Sequence, residues 1–348
     1  MILLTGGAGF IGSHIAAALA ARGERVVLSD HLGIGDKWRN IAKHEIEDVI
    51  APGQCLDWLA ARRGEISAVV HMGAISGTTE TNGDRLVENN VRLSLDLWEF
   101  CREQARPFIY ASSAATYGDG AAGFGDDDSP EALARLRPLN GYAWSKHLVD
   151  RTIARRVKRG DPQPPQWVGL KFFNVYGPNE YHKGSMRSVA KQLHEQAHDT
   201  GKLKLFKSSH PDFPDGGQCR DFVYVRDCAD VVLWLLDHPK VSGLFNLGTG
   251  RARSFLDLAG AVMQIMSNRE LTIQFFDIPA ALQGRYQNFT EAKMDRLRAA
   301  GYAKPFTSIE EGAEPICGGK DAVAHFSLPV AGSPALKRGR GRPGRAQK

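Results

Sequence analysis

The chain lacks any apolar run near the roughly 18–20 residues that a membrane-spanning helix needs; its longest candidates are short stretches such as residues 15–21. Cysteine is scarce and unpatterned. Cys55, Cys101, Cys219, Cys228 and Cys317 are odd in number, widely spaced and never arranged as C-x-x-C, so neither a disulfide framework nor a zinc site is expected. No basic and apolar leader precedes the first motif, because residues 1–12 read directly into a strand and a glycine turn; a cytoplasmic location is the expectation. A surplus of either charge is also missing from most of the chain. The formal charge is +5, but Lys337, Arg338, Arg340, Arg342, Arg345 and Lys348 lie together with no acid among them, and the chain before Lys337 is balanced to within one charge. What is present is ordinary globular composition, 43% hydrophobic and 24% charged over 348 residues, which excludes a disordered or collagen-like chain and suits one large or two ordinary domains.

Apolar runs and helical patterns alternate through the first half. Residues 1–5 (MILLT) end in a glycine turn, and residues 10–22 have an alanine-rich helical pattern. Strand candidates recur at 25–29, 67–71, 107–112 and 167–173, with helical stretches such as 85–102 and 142–159 between them. Such alternation predicts a parallel sheet with helices on both faces, because parallel neighbours need right-handed crossover connections. Residues 160–165 (GDPQPP) read as a loop leading into the fifth strand. After Asn174 the pattern loosens into Gly, Pro, His and Asp-rich segments, with helices expected at 185–198, 226–237, 255–266 and 291–299, which suits a smaller domain closing over the first. There is no internal repeat. Residues 314–348 are rich in Gly, Ala, Pro and Arg without a sustained period and are expected to be largely disordered.

Thr5-Gly6-Gly7-Ala8-Gly9-Phe10-Ile11-Gly12 has the spacing G-x-x-G-x-x-G, after a strand and at the opening of a helix. Glycines there let the backbone turn tightly and approach a pyrophosphate, whose charge is favoured by unpaired amides at the helix start. A glycine turn without ligand is the plain alternative; a second strand ending in Asp30 favours the dinucleotide. A carboxylate at that strand end bonds ribose hydroxyls, which points to NAD. His31, Lys37 and Arg39 follow closely, and cations there suit the 2′-phosphate of NADP, unless they form a solvated loop. Spacing alone leaves NAD and NADP open.

Tyr142 and Lys146 stand four residues apart, one turn along one helix face. A lysine so placed stabilises the tyrosinate and lowers its pKa toward neutrality, making Tyr142 a usable base for a substrate hydroxyl. Y-x-x-x-K alone is a weak signal. Here it follows Ser112 and Ser113 at the end of the fourth strand, and ligands bind outside the carboxyl ends of strands in open parallel sheets. Serine, tyrosine and lysine can therefore converge on one bound group.

With these motifs in hand, the chain resembles the extended short-chain dehydrogenase/reductase superfamily and, within it, the ADP-heptose 6-epimerases. The stretches that carry the resemblance are TGGAGFIGS at 5–13, GAISGTTE at 73–80, ENN at 88–90, YASSAATYG at 110–118 and PLNGYAWSK at 138–146. In the second half they are KFFNVYGPNEYHKGSM at 171–186, RDFVYVRD at 220–227, FNLGTGRARSF at 245–255 and GRYQNFTEAKMDRLRAAGY at 284–302. The resemblance implies an α/β fold, a Rossmann-type doubly wound parallel sheet with a smaller α/β substrate-binding domain. Residues 1–173 would bind NADP, with a stretch around 222–250 returning to that domain; 174–312 would mainly bind substrate, and 313–348 would be an atypical basic tail. It also implies a catalytic set of Ser113, Tyr142, Lys146 and Lys183. Lys183 would be a second acid/base opposite Tyr142, since one base cannot reach a hydroxyl presented in two orientations; its plain alternative is a loop lysine that contacts a phosphate. Cofactor contacts are implied for Gly6, Gly9, Phe10, Ile11, Gly12, Asp30, His31, Lys37, Met72, Gly73, Ala74, Ile75, Ser76, Asn89, Lys146, Val175 and Lys183. Substrate contacts are implied for Ser113, Asn174, Ser185, Gln192, Phe206, Lys207, Ser208, Ser209, Arg220 and Tyr286, with no metal. Arg220 has the planar fork that suits a diphosphate, its alternative being a pair with Asp221. The implied cofactor is NADP, the substrate an ADP-heptose and the assembly a homo-oligomer; neither a membrane nor nucleic acid is expected.

Two departures stand out. Ser76 is followed by Gly77 where the family has a serine pair, and beyond Gly312 the chain lacks the expected closing helix with aromatic and charged residues. The rivals are weaker on the residues. A 4,6-dehydratase needs an acid pair where this chain has Ala114 and Ala115, while a 4-epimerase is separated only by the HKGSM and GRYQ segments. Lys337 to Pro343 (KRGRGRP) matches a single A·T-hook, a pattern that arises easily in arginine-rich sequence.

Overall fold

The computed structural model describes residues 1–279 and 287–317. Seven parallel strands form the main sheet: β1 (Ile2–Thr5), β2 (Val26–Ser29), β3 (Asp48–Ile50), β4 (Ala68–His71), β5 (Phe108–Ser113), β6 (Trp167–Phe172) and β10 (Gly243–Leu247). Their order is β10-β6-β5-β4-β1-β2-β3, a doubly wound α/β sheet whose direction of growth reverses between β1 and β4. Such strands are covered on both faces, which is why β1, β2 and β4 are buried at every position rather than alternating, each being apolar up to a last polar residue, Thr5, Ser29 or His71. β3 escaped the sequence reading because it is a three-residue edge strand with Asp48 and Val49 exposed. The strand after GDPQPP is consequently the sixth.

The remaining strands are β7 (Asn174–Tyr176), β8 (Lys202–Phe206), β9 (Cys219–Tyr224), β11 (Ala252–Ser254) and β12 (Thr272–Phe276). β7, β9 and β11 make a three-stranded sheet, and β8 pairs with β12. The helices are α1 (Phe10–Ala21), α2 (Cys55–Ala61), α3 (Gly83–Leu86), α4 (Leu93–Glu103), α5 (Pro130–Leu133), α6 (Gly141–Arg159), α7 (Val189–Thr200), α8 (Val225–Asp237), α9 (Phe255–Ile265), α10 (Asp295–Ala299) and α11 (Ile309–Cys317). One apolar core lies around the main sheet and includes Leu97, Trp98, Phe108 and Trp167. A second, with Tyr176, Leu193, Leu203, Phe222 and Leu258, joins α7, α9 and α11 to the smaller sheets. Among the described residues no helix is long and apolar enough to cross a membrane.

Four expectations change. Residues 85–102 are not one regular helix, since Val87–Arg92 forms a wide π turn between α3 and α4. The helix expected from 185 starts at Val189, because Ser188 is its N-cap and takes the Lys191 amide, while Tyr181–Met186 is a 3-10 segment kinked at Gly184. The helix expected at 291–299 is limited to Asp295–Ala299. Residues 314–317, expected to be disordered, complete α11, whose Ile309 and Ile316 are buried in the second core. The rest of the tail, 318–348, lies outside the described residues.

Candidate active site

The glycine turn is fixed by backbone that leaves no room for side chains. A Cβ on Gly12 would lie 2.1 Å from the Gly6 carbonyl oxygen, and one on Gly6, at φ +67°, would lie 2.6 Å from the Gly73 amide. α1 therefore begins hard against β1 and the loop after β4. Gly9 caps it without a side chain and no acid occupies its first turn, so the helix start presents amides and positive dipole to an anion. Across this opening Asp30 Oδ2 accepts from the Ala8 amide at 2.9 Å, and Asp30 Oδ1 accepts from Lys37 Nζ at 2.7 Å.

At the reversal of strand order lies a cleft of about 430 Å³. It gathers Gly6, Gly9, Phe10, Ile11, Gly12, Asp30, Lys37, Met72, Gly73, Ala74, Ser76, Tyr142, Lys146 and Lys183. A cleft lined by an uncapped helix start and also by a phenol and an ammonium has groups that suit a dinucleotide. Val175 lines a neighbouring cleft instead. His31 is exposed and contributes its carbonyl to Lys37 Nζ, while Asn89 donates to the Arg85 carbonyl of its own helix. Its neighbour Asn90 is fully buried and ties down the loop after β4: its side-chain amide accepts from Ile75 N at 2.8 Å and donates to Ile75 O at 3.0 Å and Ser145 Oγ at 2.9 Å.

The neighbouring cleft, about 340 Å³, is lined by Ser113, Tyr142, Phe173, Asn174, Val175, Lys183 and Arg187 among others. Phe10, Ile11, Tyr142, Phe172, Lys183 and Met186 border both clefts. Arg220 lines a third cleft with Thr78, Asn140, Trp144 and Gln287. Its guanidinium donates to the carbonyls of Cys219 and Gln287 and lies over Phe255. Asp221, the alternative partner, is used otherwise: it accepts from the Thr249, Gly250 and Ala292 amides. The other substrate-side candidates are not brought to these clefts. Ser185 is exposed, Gln192 donates to the Arg187 carbonyl, Phe206 packs on Phe276, Lys207 pairs with Asp277, Ser208 caps its own turn through the His210 carbonyl, and Ser209 is exposed. Tyr286, with most of the GRYQ segment, lies outside the described residues.

The electrostatics correct one expectation. Burial pushes the Tyr142 phenol above its ordinary pKa, and the Ser113 hydroxyl only partly offsets this. Lys146, one turn along the same helix face, is itself desolvated and held at about 8, with Asp150 acting in the opposite direction. Asp150, missed in the sequence, continues the face of Tyr142 and Lys146 by one more turn of α6. It accepts from Tyr110 Oη at 3.0 Å, Ser112 Oγ at 2.7 Å and Lys171 Nζ at 2.9 Å, all of them buried. The i, i+4, i+8 spacing of Tyr142, Lys146 and Asp150 is the signal that would have found it.

A family model described as NAD dependent epimerase/dehydratase family matches residues 2–248. The chain belongs to the NAD dependent epimerase/dehydratase family. Among relatives of this epimerase/dehydratase, the ADP-L-glycero-D-manno-heptose-6-epimerase of Nitratidesulfovibrio vulgaris (strain DP4) is 49% identical over 90% of this chain and 95% of that protein. Two solved epimerases have similar folds. The ADP-L-glycero-D-manno-heptose-6-epimerase of Helicobacter pylori has a TM-score of 0.71 and 27% identity, covering 90% of this chain and 93% of that one. The UDP-glucose 4-epimerase of Thermus thermophilus, solved in complex with NAD, has a TM-score of 0.70 and 25% identity, covering 90% and 96%. This epimerase/dehydratase family member is an isomerase that works with a nicotinamide dinucleotide.

Proposed function

We propose that this enzyme inverts carbon 6 of the heptose in ADP-D-glycero-β-D-manno-heptose, giving the L-glycero epimer for lipopolysaccharide core, as a homo-oligomer in the cytoplasm. The observation that carries the chemistry is that Tyr142 and Lys183 border both clefts while belonging to different elements, α6 and the Tyr181–Met186 segment. Two proton-handling groups thus approach one place from different directions. That is what inversion needs, because the C6 hydroxyl presents itself in two orientations.

The glycine turn, Asp30 and Lys37 hold the dinucleotide, and Tyr142 and Lys146 flank its reactive end. When bound, the nicotinamide supplies a reversible acceptor for the C6 hydride and is regenerated in each turnover. The chain handles the proton. One of the two in its basic form, Tyr142 Oη as tyrosinate or Lys183 Nζ as free amine, would take it from the C6 hydroxyl, and the other in its protonated form would give one to the ketone oxygen when C6 presents its other face. Ser113 hydrogen-bonds Tyr142 and orients it. Asn174 and Arg220 hold the nucleotide sugar.

NADP is the proposed form of the cofactor. Asp30, which would repel a 2′-phosphate, is already paired with Lys37 and with the Ala8 amide, and His182 lies beside Lys37. Stripped protein incubated with ADP-D-glycero-β-D-manno-heptose and either cofactor should yield both C6 epimers without net cofactor consumption, faster with NADP. Recovery of substrate unchanged at C6, or inversion at C4, would overturn the reading; faster turnover with NAD would overturn the NADP assignment alone.

A further inference from the structure

A lysine on a surface turn has a long flexible stem, and an acid/base must be held in one place to act repeatedly. The Tyr181–Met186 segment offers Lys183 little support from its own backbone: Gly184 breaks it at φ +53°, and Gly184, Ser185 and Met186 are exposed. Support comes from Glu180, three residues back. Its side chain is fully buried, and burial of a carboxylate demands that its oxygens be matched by donors. They are. Oε1 accepts from Ser188 Oγ at 2.6 Å and from the Gly177 amide at 3.4 Å, while Oε2 accepts from the Ser188 amide at 2.6 Å and from Lys183 Nζ at 3.2 Å. On its other side the ammonium sits 4.7 Å from the centre of the Phe10 ring, on the first turn of α1. A carboxylate rooted in the start of α7 and an aromatic ring rooted in the glycine turn thus hold Lys183 between them.

We propose that Glu180 is the positioning residue of Lys183: its carboxylate fixes the ammonium on the wall shared by the two clefts, where the C6 oxygen is to be met. Glu180 lines neither cleft, so it acts on the reaction through Lys183. The proposal rests on Lys183 being the second acid/base. The competing role is purely structural, a staple joining Gly177 to Ser188 that would matter equally with or without the lysine.

A double-mutant cycle on the full-length holoenzyme separates the two roles. Glu180→Gln keeps an amide oxygen for the Ser188 amide and removes the charge that faces Lys183. Glu180→Gln should lower kcat for C6 inversion by about 10- to 100-fold, with KM changed by less than about threefold, and it should cause no further loss when added to Lys183→Met. Losses that multiply in the double variant, a change confined to KM or to melting temperature, or kcat within about twofold of the parent would overturn the positioning role. Near-normal turnover in Lys183→Met would instead overturn the reading of Lys183, and this proposal with it. Where Glu180→Gln does not accumulate as folded protein, Glu180→Asp, which keeps the charge but withdraws it, enters the same cycle and is read by the same outcomes.

Discussion

Lys146 illustrates how a single residue trades stability for chemistry. Burial lowers its pKa from 10.5 to about 8. Between those values the unfolded chain holds a proton that the folded chain has released, so stability rises with pH through that window and the full penalty is borne below it. At pH 7 the penalty is on the order of 3 kcal/mol. Lys146→Met should therefore stabilise cofactor-free protein by on the order of 2–3 kcal/mol at pH 7, less at pH 9.5, while lowering turnover by about a hundredfold or more. Denaturant unfolding at both pH values checks this, and a variant less stable than the parent at pH 7 would contradict it. The residues legible in the sequence were those bound by local spacing: the glycine turn, Tyr142 with Lys146, and Ser113 at a strand end. Asn90 was not singled out, and in the wide turn Val87–Arg92 it is the residue turned inward, its side chain bonded to Ile75. Glu180 had no local signature, since its meaning depends on Ser188 folding back onto it.

Elements were legible where period and length were strong, as in α6, which starts at the Asn140 cap and ends at Gly160 in the left-handed region. They were not where pairing is distant. β8 and β12 are joined across 70 positions of chain, Lys202 opposite Thr272, and no nearby residue announces the partner. α11 was hidden by Pro315 and by the small residues around it. One of those small residues explains how the helix docks. A Cβ on Gly312 would lie 2.1 Å from the Tyr176 hydroxyl oxygen, and that hydroxyl, buried in the second core, donates to the Ser308 carbonyl. Helix propensity alone says Gly312→Ala should gain about 1 kcal/mol. Contact says otherwise: we expect a loss of about 1–3 kcal/mol, the cost of overpacking. Gly260, in α9 and exposed with open space around it, is the control and should gain about 0.5–1 kcal/mol as Gly260→Ala. Melting both variants beside the parent tests the docking, and a stabilised Gly312→Ala would mean that α11 is not seated against Tyr176.

At the scale of the whole molecule, the clefts exist because the main sheet reverses its order at β1 and β4 and because β7, leaving β6 after one residue, carries the chain into the second core. Among the described residues, every one that lines the three clefts lies at or before Gln287. The last described helix, α11, packs on α9, α7 and β9 in the second core, and none of its residues lines these clefts. The basic cluster from Lys337 onward follows it by some twenty residues and has no acid of its own to offset its charge. Its one route to the reaction is electrostatic attraction to a diphosphate, which at physiological salt fades over about 8 Å. Deleting residues 327–348 should therefore leave kcat for C6 inversion within about twofold, a barrier change under roughly 0.5 kcal/mol. A KM raised about tenfold with kcat intact, equivalent to roughly 1.4 kcal/mol of binding, would make the cluster a substrate-binding element. Repeating the comparison across salt concentration separates the two cases, since a binding role built on six cations must weaken as salt rises and a bystander's indifference must not.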